Sequence, residues 1–586
     1  MKKLSISLLM IIIISIHPLF AQIDYSLNFS TYLGGSAFEQ ARDICSDKDG
    51  NIYVTGGTQS EDFPTTPGAY EREFHKGGSA LGNGGPMMVF ISKFSPTGEM
   101  IWSTMLGGPN YDRAYAIEVD DLGYVYVGGR AGDEFPTTSG VVQEDFGGDQ
   151  ATTKNGLYGK QDGFMAKLSP DGSELIWCTY IGSDDAGFFR DITIDDKGAV
   201  YGILTNVRFP LEHVPDDAYL NELQEGKNCI PIKISPDGKE VEWASYFGGS
   251  GDDGGGPAIR VDSEYNSYIY GSSNSTDLPV TDDAYDKTYN GGNSDVFIAK
   301  FSSDGKELIF CTYFGGSGND ALETHGIYLD KYKQPNVIVP TNSKDIPVSD
   351  NAYQKTNYAT NWSYAVAKFS SDGSELLACT YVGGSTGQSA ESIFVDDEGK
   401  IYVGGGTVSE DYPVTKNAWQ SDIAGGRDAF ASVISSDCSE LLYSTFLGGS
   451  SDDAARCSWA DNKGNIYIAG QTKSNDFPVK NAFQDSRKDK TGREDNLVAV
   501  FNPLISGISD QIKSTEISIF PNPTSGMINI EIKNSQLENY ELCNLLGLEI
   551  MSGKINSEKS SIDLSRLPAG VYLLRVDNKS YKIIKN

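Results

Sequence analysis

At 586 residues with a formal charge of −33, the chain has room for three or four ordinary domains and is too acidic to favour nucleic acid or an anionic membrane. Only 39% of residues are hydrophobic, but 65 glycines and 11% aromatics supply what many short strands and tight turns need. The acidic excess lies before residue 511; beyond it, basic and acidic residues nearly cancel.

The N-terminus reads as an export signal. Lys2-Lys3 is a positive n-region, residues 4–16 are an apolar h-region, and Ala21 is the cleavage residue before Gln22. The apolar run is too short for a membrane span and ends at His17-Pro18. No transmembrane anchor is expected elsewhere.

A strand ending in Gly-Gly or a near relative then recurs seven times: at Gly34-Gly35, Gly107-Gly108, Gly182-Ser183, Gly248-Gly249, Gly315-Gly316, Gly383-Gly384 and Gly448-Gly449. Repetition of this kind marks a supersecondary unit that cannot bury its faces alone. Other landmarks keep step. A turn and aromatic strand appear as Asn51-Ile52-Tyr53-Val54 and Asn465-Ile466-Tyr467-Ile468, an apolar residue precedes proline as in Phe63-Pro64 and Phe477-Pro478, and a strand such as Phe297-Ile298-Ala299-Lys300-Phe301 leads to a Ser-Asp-Gly turn. Each unit therefore reads as four short strands of alternating, aromatic and β-branched residues joined by hairpin turns. These features predict an all-β fold, a β-propeller over residues 24–503. The first Gly-Gly strand, 27–33, lacks a partner before it, and the strand at 497–501 lacks one after it. Pairing the two closes a ring of seven blades and removes its exposed edges. A monomeric ring is expected.

Residues 504–513 form a Ser/Gly-containing linker, and residues 514–586 abandon the blade pattern. Seven short strands in this tail predict a small C-terminal β-sandwich.

The eight cysteines do not read as a disulfide framework. Cys178, Cys311 and Cys379 occupy the blade position held elsewhere by Ser30, Ser103, Ala244 and Ser444, a slot for a small buried side chain. Cys438 and Cys457 could still pair within one blade.

Chemistry-bearing residues are sparse. His75, His213 and His325 fall at non-equivalent places without metal-ligand spacing. Asp47-Lys48-Asp49-Gly50-Asn51 resembles the start of a calcium loop but lacks the bidentate Glu that would complete one. An acidic series follows the Gly-Gly pairs at one offset: Glu39, Asp112, Asp253, Asp320 and Asp453, broken by Gln388 and Gly187. Such carboxylates either cap backbone N–H groups or form a ring attracting calcium or a basic ligand. Gly-rich insertions at 71–86 and 145–162 are either flexible or binding loops.

The repeats resemble the SBBP-type bacterial β-propeller repeat through Tyr32-Leu33-Gly34-Gly35, Asp49-Gly50-Asn51-Ile52-Tyr53-Val54, Asp62-Phe63-Pro64-Thr65-Thr66 and Ala69-Tyr70. The likeness weakens at Tyr201-Gly202-Ile203-Leu204 and at Gln334-Pro335-Asn336-Val337-Ile338, and the family implies no reaction. The tail resembles the type A C-terminal sorting domain of the type IX secretion system, through Phe520-Pro521-Asn522-Pro523, Gly526, Gly547 and the run from Leu564 to Gly570-Val571-Tyr572. Asn544 stands where that family often has Asp. The resemblance implies the type IX machinery as partner, passage across the outer membrane of a Bacteroidota-type bacterium, and loss of the tail with anchoring or release.

Two function classes follow. One is a secreted or surface-displayed binding scaffold for a glycan, peptide or envelope protein. The other is an extracellular hydrolase or lyase with a site over the axis. A catalytic site should break the repeat symmetry with clustered His, Arg, Tyr and carboxylates, and no such cluster is evident in the sequence. Binding without a catalytic residue or cofactor is therefore expected.

Overall fold

Each Gly-Gly strand ends one blade, and the residues after it begin the next. The computed structural model describes residues 23–78, 84–148, 158–183, 187–207, 212–320, 325–489 and 492–504, then 517–532, 538–543, 549–555, 559–568, 570–576 and 579–585. The chain divides into two compact units, one running to Leu504 and one from Ile505.

Among the described residues, the first unit holds seven four-stranded antiparallel sheets. Their innermost strands are Glu39–Ser46, Arg113–Val119, Phe188–Ile194, Asp253–Val261, Ile327–Leu329, Gln388–Val395 and Asp453–Ala460. Each touches the next around the ring. The closing blade takes its outermost strand from the chain's start: Asp24–Leu33 lies beside Asp495–Leu504, with Asp24 opposite Leu504 and Leu33 opposite Asn496. The pairing runs longer than residues 27–33 and 497–501 suggested, because Tyr25 also reaches the sixth blade, its ring 4.4 Å from that of Tyr443.

Neighbouring blades are held by a repeated aromatic contact. Gly172, Gly238, Gly305 and Gly373, in the Asp-Gly turns between the two outer strands, adopt positive φ and lie flat on a ring of the preceding blade; a Cβ on Gly172 would come within 2.5 Å of Trp102, and one on Gly238 within 2.6 Å of Trp177. Both indoles also donate to the turn, Trp102 to Pro170 O and Trp177 to Pro236 O, each at 3.0 Å. Cys438 takes the turn's left-handed position in the sixth blade, at φ 59°. It therefore lies in a different blade from Cys457, contrary to the within-blade pairing considered above, and all eight cysteines are buried free thiols. Cys178, Cys311 and Cys379 face Ala166, Ala299 and Ala367 across the outer strand pair.

The loop after each proline covers the outer edge of its blade. Thr66 N–H donates to Ser103 O at 3.0 Å, and Met105 N–H to Glu71 O at 2.9 Å. An edge paired in this way offers no free ladder to another chain.

The second unit has a three-stranded sheet, Ile517–Phe520, Met527–Ile532 and Lys559–Asp563, and a four-stranded sheet, Glu549–Ile555, Glu538–Cys543, Gly570–Val576 and Lys579–Lys585. Ile528, Ile530, Leu542, Leu564, Leu574 and Ile583 share its core.

Candidate functional site

The acidic series sits at the blade junctions. Glu39, Asp112, Asp253, Asp320 and Asp453 are at most 1% exposed, so they do not line an open channel. Each accepts a hydrogen bond from the Gly N–H four residues earlier: Gly35 at 3.0 Å, Gly108 at 2.7 Å, Gly249 at 2.6 Å, Gly316 at 2.7 Å and Gly449 at 2.7 Å. A serine hydroxyl adds a second bond from Ser60, Ser275, Ser343 or Ser474; at Asp112 the second donor is Gly132 N–H, at 2.8 Å. Gln388 takes the same place with its amide oxygen, accepting from Gly384 N–H at 3.2 Å. Burial pushes Glu39 up to about 8, Asp112 to about 7 and Asp453 to about 6, against the pull of these bonds. Asp495 crowds Glu39 and Asp428 crowds Asp453, which raises both further. Among the described residues, no three His, Cys, Asp or Glu side chains are placed to hold a metal ion.

Three residues past this acid, the innermost strand bulges. Arg42 is an extra residue between Ala41 and Asp43, which pair with Gly56 and Thr55. Tyr115, Arg190, Glu391 and Arg456 are the extra residues at the same offset in four other blades. A bulge bends the strand and re-aims one side chain. The partner strand makes room with glycine: a Cβ on Gly56, Gly129, Gly405 or Gly470 would lie 1.9–2.2 Å from the carbonyl oxygen of Gln40, Arg113, Ser389 or Ala454.

The bulges of the first three blades build a cationic cluster. The guanidinium carbons of Arg42, Arg113, Arg130 and Arg190 lie 5.0, 4.6, 5.2 and 4.7 Å from the Tyr115 ring centre. Arg130 also stacks at 3.8 Å on Phe188 and at 4.5 Å on Tyr158. Tyr115 is 1% exposed, and Arg113 and Arg130 only 4% and 6%. Burial acts to raise the Tyr115 phenol, but Arg130, Arg113, Arg190 and Arg42 outweigh it and pull it down to about 6. Arg113 donates to Tyr115 Oη and to Gln40 Oε1. The Nε atoms of Arg42, Arg113 and Arg130 are buried without a hydrogen-bond partner. Elsewhere on the ring the bulge charges offset each other, with Glu391 3.6 Å from Arg456.

Sequence reading missed this cluster. Its signal was present, since Arg42, Tyr115, Arg190, Glu391 and Arg456 share one offset from the Gly-Gly pairs. Arg113 and Arg130 had no such mark; they face each other across the first strand pair of the second blade. Tyr158 comes from the second Gly-rich insertion, of which residues 149–157 are outside the described set, as are 79–83 of the first.

The histidines are less isolated than their spacing suggested. His325 Nδ1 lies 3.5 Å from Asp191 Oδ1, whose other oxygen pairs with Arg260 at 2.6 Å. His75 meets Glu71 at 3.3 Å, and His213 meets Gln143 at 3.4 Å. In the tail, Pro521, Asn522 and Pro523 form an exposed bend. Asn522 Oδ1 accepts from Ile584 N–H at 2.8 Å, tying the bend to the last strand. Gly570 opens the strand that carries Tyr572, whose hydroxyl donates to Pro568 O at 2.8 Å. Gly547, the signal segment 1–21 and the Ala21–Gln22 junction lie outside the described residues.

Residues 518–586 match the secretion system C-terminal sorting domain, and residues 28–64 and 101–136 match the SBBP β-propeller repeat. The chain carries SBBP propeller repeats and ends in a type IX sorting domain. Such a domain implies dealings with the type IX machinery and export to the outer-membrane surface or beyond. No helix among the described residues is long and apolar enough to cross a membrane. No curated protein matches this chain. Solved structures similar to it include a protein of unknown function from Dyadobacter fermentans, at 10% identity and TM-score 0.37, covering 82% of this chain and 100% of that one. PorZ, a surface component of the type IX secretion system of Porphyromonas gingivalis, is 12% identical at TM-score 0.33, covering 94% of this chain and 59% of PorZ. A polysaccharide lyase, the PL25 ulvan lyase, is 12% identical at TM-score 0.38, covering 75% and 92%. Likenesses this distant bear on neither ligand nor activity.

Proposed function

We propose that the mature protein is a binding propeller of the bacterial surface or its surroundings, acting without catalysis, and that its ligand engages the ring axis over the first three blades. The observation that supports this is the loss of repeat symmetry at the bulge position, where Arg42, Tyr115 and Arg190 stand together and Arg113 and Arg130 join them. Equivalent blades serve folding equally; a position that differs blade by blade is free to recognise something. Export precedes binding: the signal is cut before Gln22 and the tail is removed on the way to the surface or medium. Intact mass of the extracellular product checks the processing, and retention of the tail contradicts it. A glycan and peptide array probed with the mature protein tests binding, and an array with no retained ligand counts against it.

The alternative, an extracellular hydrolase or lyase, draws support from the His325–Asp191 pair, because a carboxylate that orients an imidazole suits proton transfer. Asp191 Oδ2 accepts from both Arg260 and Ile259 N–H, at 2.6 and 3.0 Å, which suits a structural pair equally. Polysaccharide turnover by the mature protein that disappears in His325→Gln would replace the binding reading with the enzymatic one.

A further inference from the structure

Resting on the binding reading above, we propose that the axial cluster of Arg42, Arg113, Arg130 and Tyr115 is a site for an oxyanion, a carboxylate, sulfate or phosphate group carried by the ligand. The case begins with charge. In a chain of net charge −33, four guanidinium groups gather around one tyrosine. Buried arginine is ordinarily paired with a carboxylate, because an uncompensated buried charge is costly. Here Arg113 finds only the neutral Gln40 amide and the Tyr115 hydroxyl. The Nε donors of Arg42, Arg113 and Arg130 reach no acceptor at all.

Aromatic faces supply part of the compensation. Tyr111, Tyr115, Tyr158 and Phe188 all lie under guanidinium groups. Cation–π contact softens the burial of a guanidinium but satisfies none of its N–H donors. Against Arg113 and Arg130, Tyr115 supplies at most one negative charge. Unfilled in-plane donors on several arginines are the arrangement that bidentate oxyanion recognition uses. The rings also stiffen the forks, so little side-chain freedom is lost when an anion arrives. Arg42, partly exposed, is the least buried arginine of the cluster.

Charge bookkeeping around the ring places the site on one side. Glu391 offsets Arg456 across the sixth and seventh blades and also attracts Arg42, but it does not act on Arg113 or Arg130. One layer further along the inner strands, Asp43 accepts from Ile117 N–H at 2.8 Å and Asp191 from Arg260, so these carboxylates are committed elsewhere.

The test is calorimetry and thermal melting of the mature protein at fixed ionic strength, with inorganic sulfate, inorganic phosphate, glucuronate and an acidic oligosaccharide as probes, and chloride and glucose as controls. The oxyanions should raise the melting temperature and the controls should not. Arg42→Gln and Arg130→Gln should fold with unchanged or higher unliganded melting temperature, because each removes a charge repelled by its neighbours, and should weaken oxyanion binding at least tenfold. Tyr115→Phe should tighten it, since the Tyr115 oxygen takes up an Arg113 donor. An acidic oligosaccharide tenfold tighter than free sulfate supports the inference with a glycan-borne anion; equal affinities support it with a free ion. No response to any oxyanion, or an equal response in the arginine variants, overturns it. A neutral array ligand that binds on the axis and is indifferent to these arginines overturns the inference while the binding reading stands. Turnover of a bound acidic sugar keeps the inference and overturns that reading.

Discussion

Replacing Glu39 by Gln should stabilise the ring, and more so at pH 8 than at pH 5. Glu39 is fully buried, accepts from Gly35 N–H and the Ser60 hydroxyl through Oε1, and has Asp495 beside it. Burial first, then Asp495, pushes its carboxyl from 4.5 up to about 8. The folded state therefore holds a proton that the unfolded state has already released between those values. Stability from this group is complete below about pH 4 and is lost as pH rises through 8. From pH 5 to pH 8 the loss amounts to roughly 2–3 kcal/mol after allowing for relaxation around a buried charge. Gln carries no such term, and its oxygen can keep both bonds, as Gln388 does with Gly384 N–H and the Ser409 hydroxyl at 3.2 and 3.1 Å. Its amide can donate toward Asp495, as Gln388 Nε2 donates to Ser363 at 2.7 Å. At ~2.1 cal/mol/K of unfolding entropy per residue over a ring of this size, the gap between variant and wild type should widen by roughly 2–3 °C from pH 5 to pH 8. Scanning calorimetry at pH 5, 6.5 and 8 measures it. A gap that stays constant with pH, or a variant less stable than wild type at pH 8, would refute the linkage.

Other outcomes follow from the same contacts. Gly470→Ala places a Cβ 2.0 Å from Ala454 O, backbone that cannot swing aside, so denaturant unfolding should show a loss of roughly 3 kcal/mol or more. Deleting residues 495–504 removes the strand between Ile466–Thr472 and Asp24–Leu33 and should abolish the cooperative melt of the ring; an unchanged melting temperature would contradict the closure. All eight cysteines are buried thiols, several with burial-raised pKa values, so native protein should resist a thiol reagent that labels eight sites in guanidinium. Trp102→Phe keeps the face under Gly172 but loses the bond to Pro170 O, and should cost about 1 kcal/mol in equilibrium unfolding.

The repeat register determined the ring from sequence alone. Gly-Gly, Asp-Gly and the aromatic before proline recur because each solves a backbone or packing problem that every blade shares, and equal problems leave equal residues. The unmatched strands at the two ends likewise told where the ring closes. The acid after Gly-Gly was visible too, though its task was decided only by burial: Asp253 and Asp320 are held by Gly N–H and serine hydroxyls, which repeat spacing cannot reveal. The axial cluster depended most on tertiary structure. Arg42 and Arg190 lie 148 residues apart in sequence and in different blades, yet bulges turn both toward Tyr115. Arg113 and Arg130 join from adjacent strands of one blade, and Tyr158 from an insertion. Sequence fixes which residue occupies each repeat position; the closing of the ring alone brings the exceptions together, because only a shared axis makes non-equivalent positions neighbours.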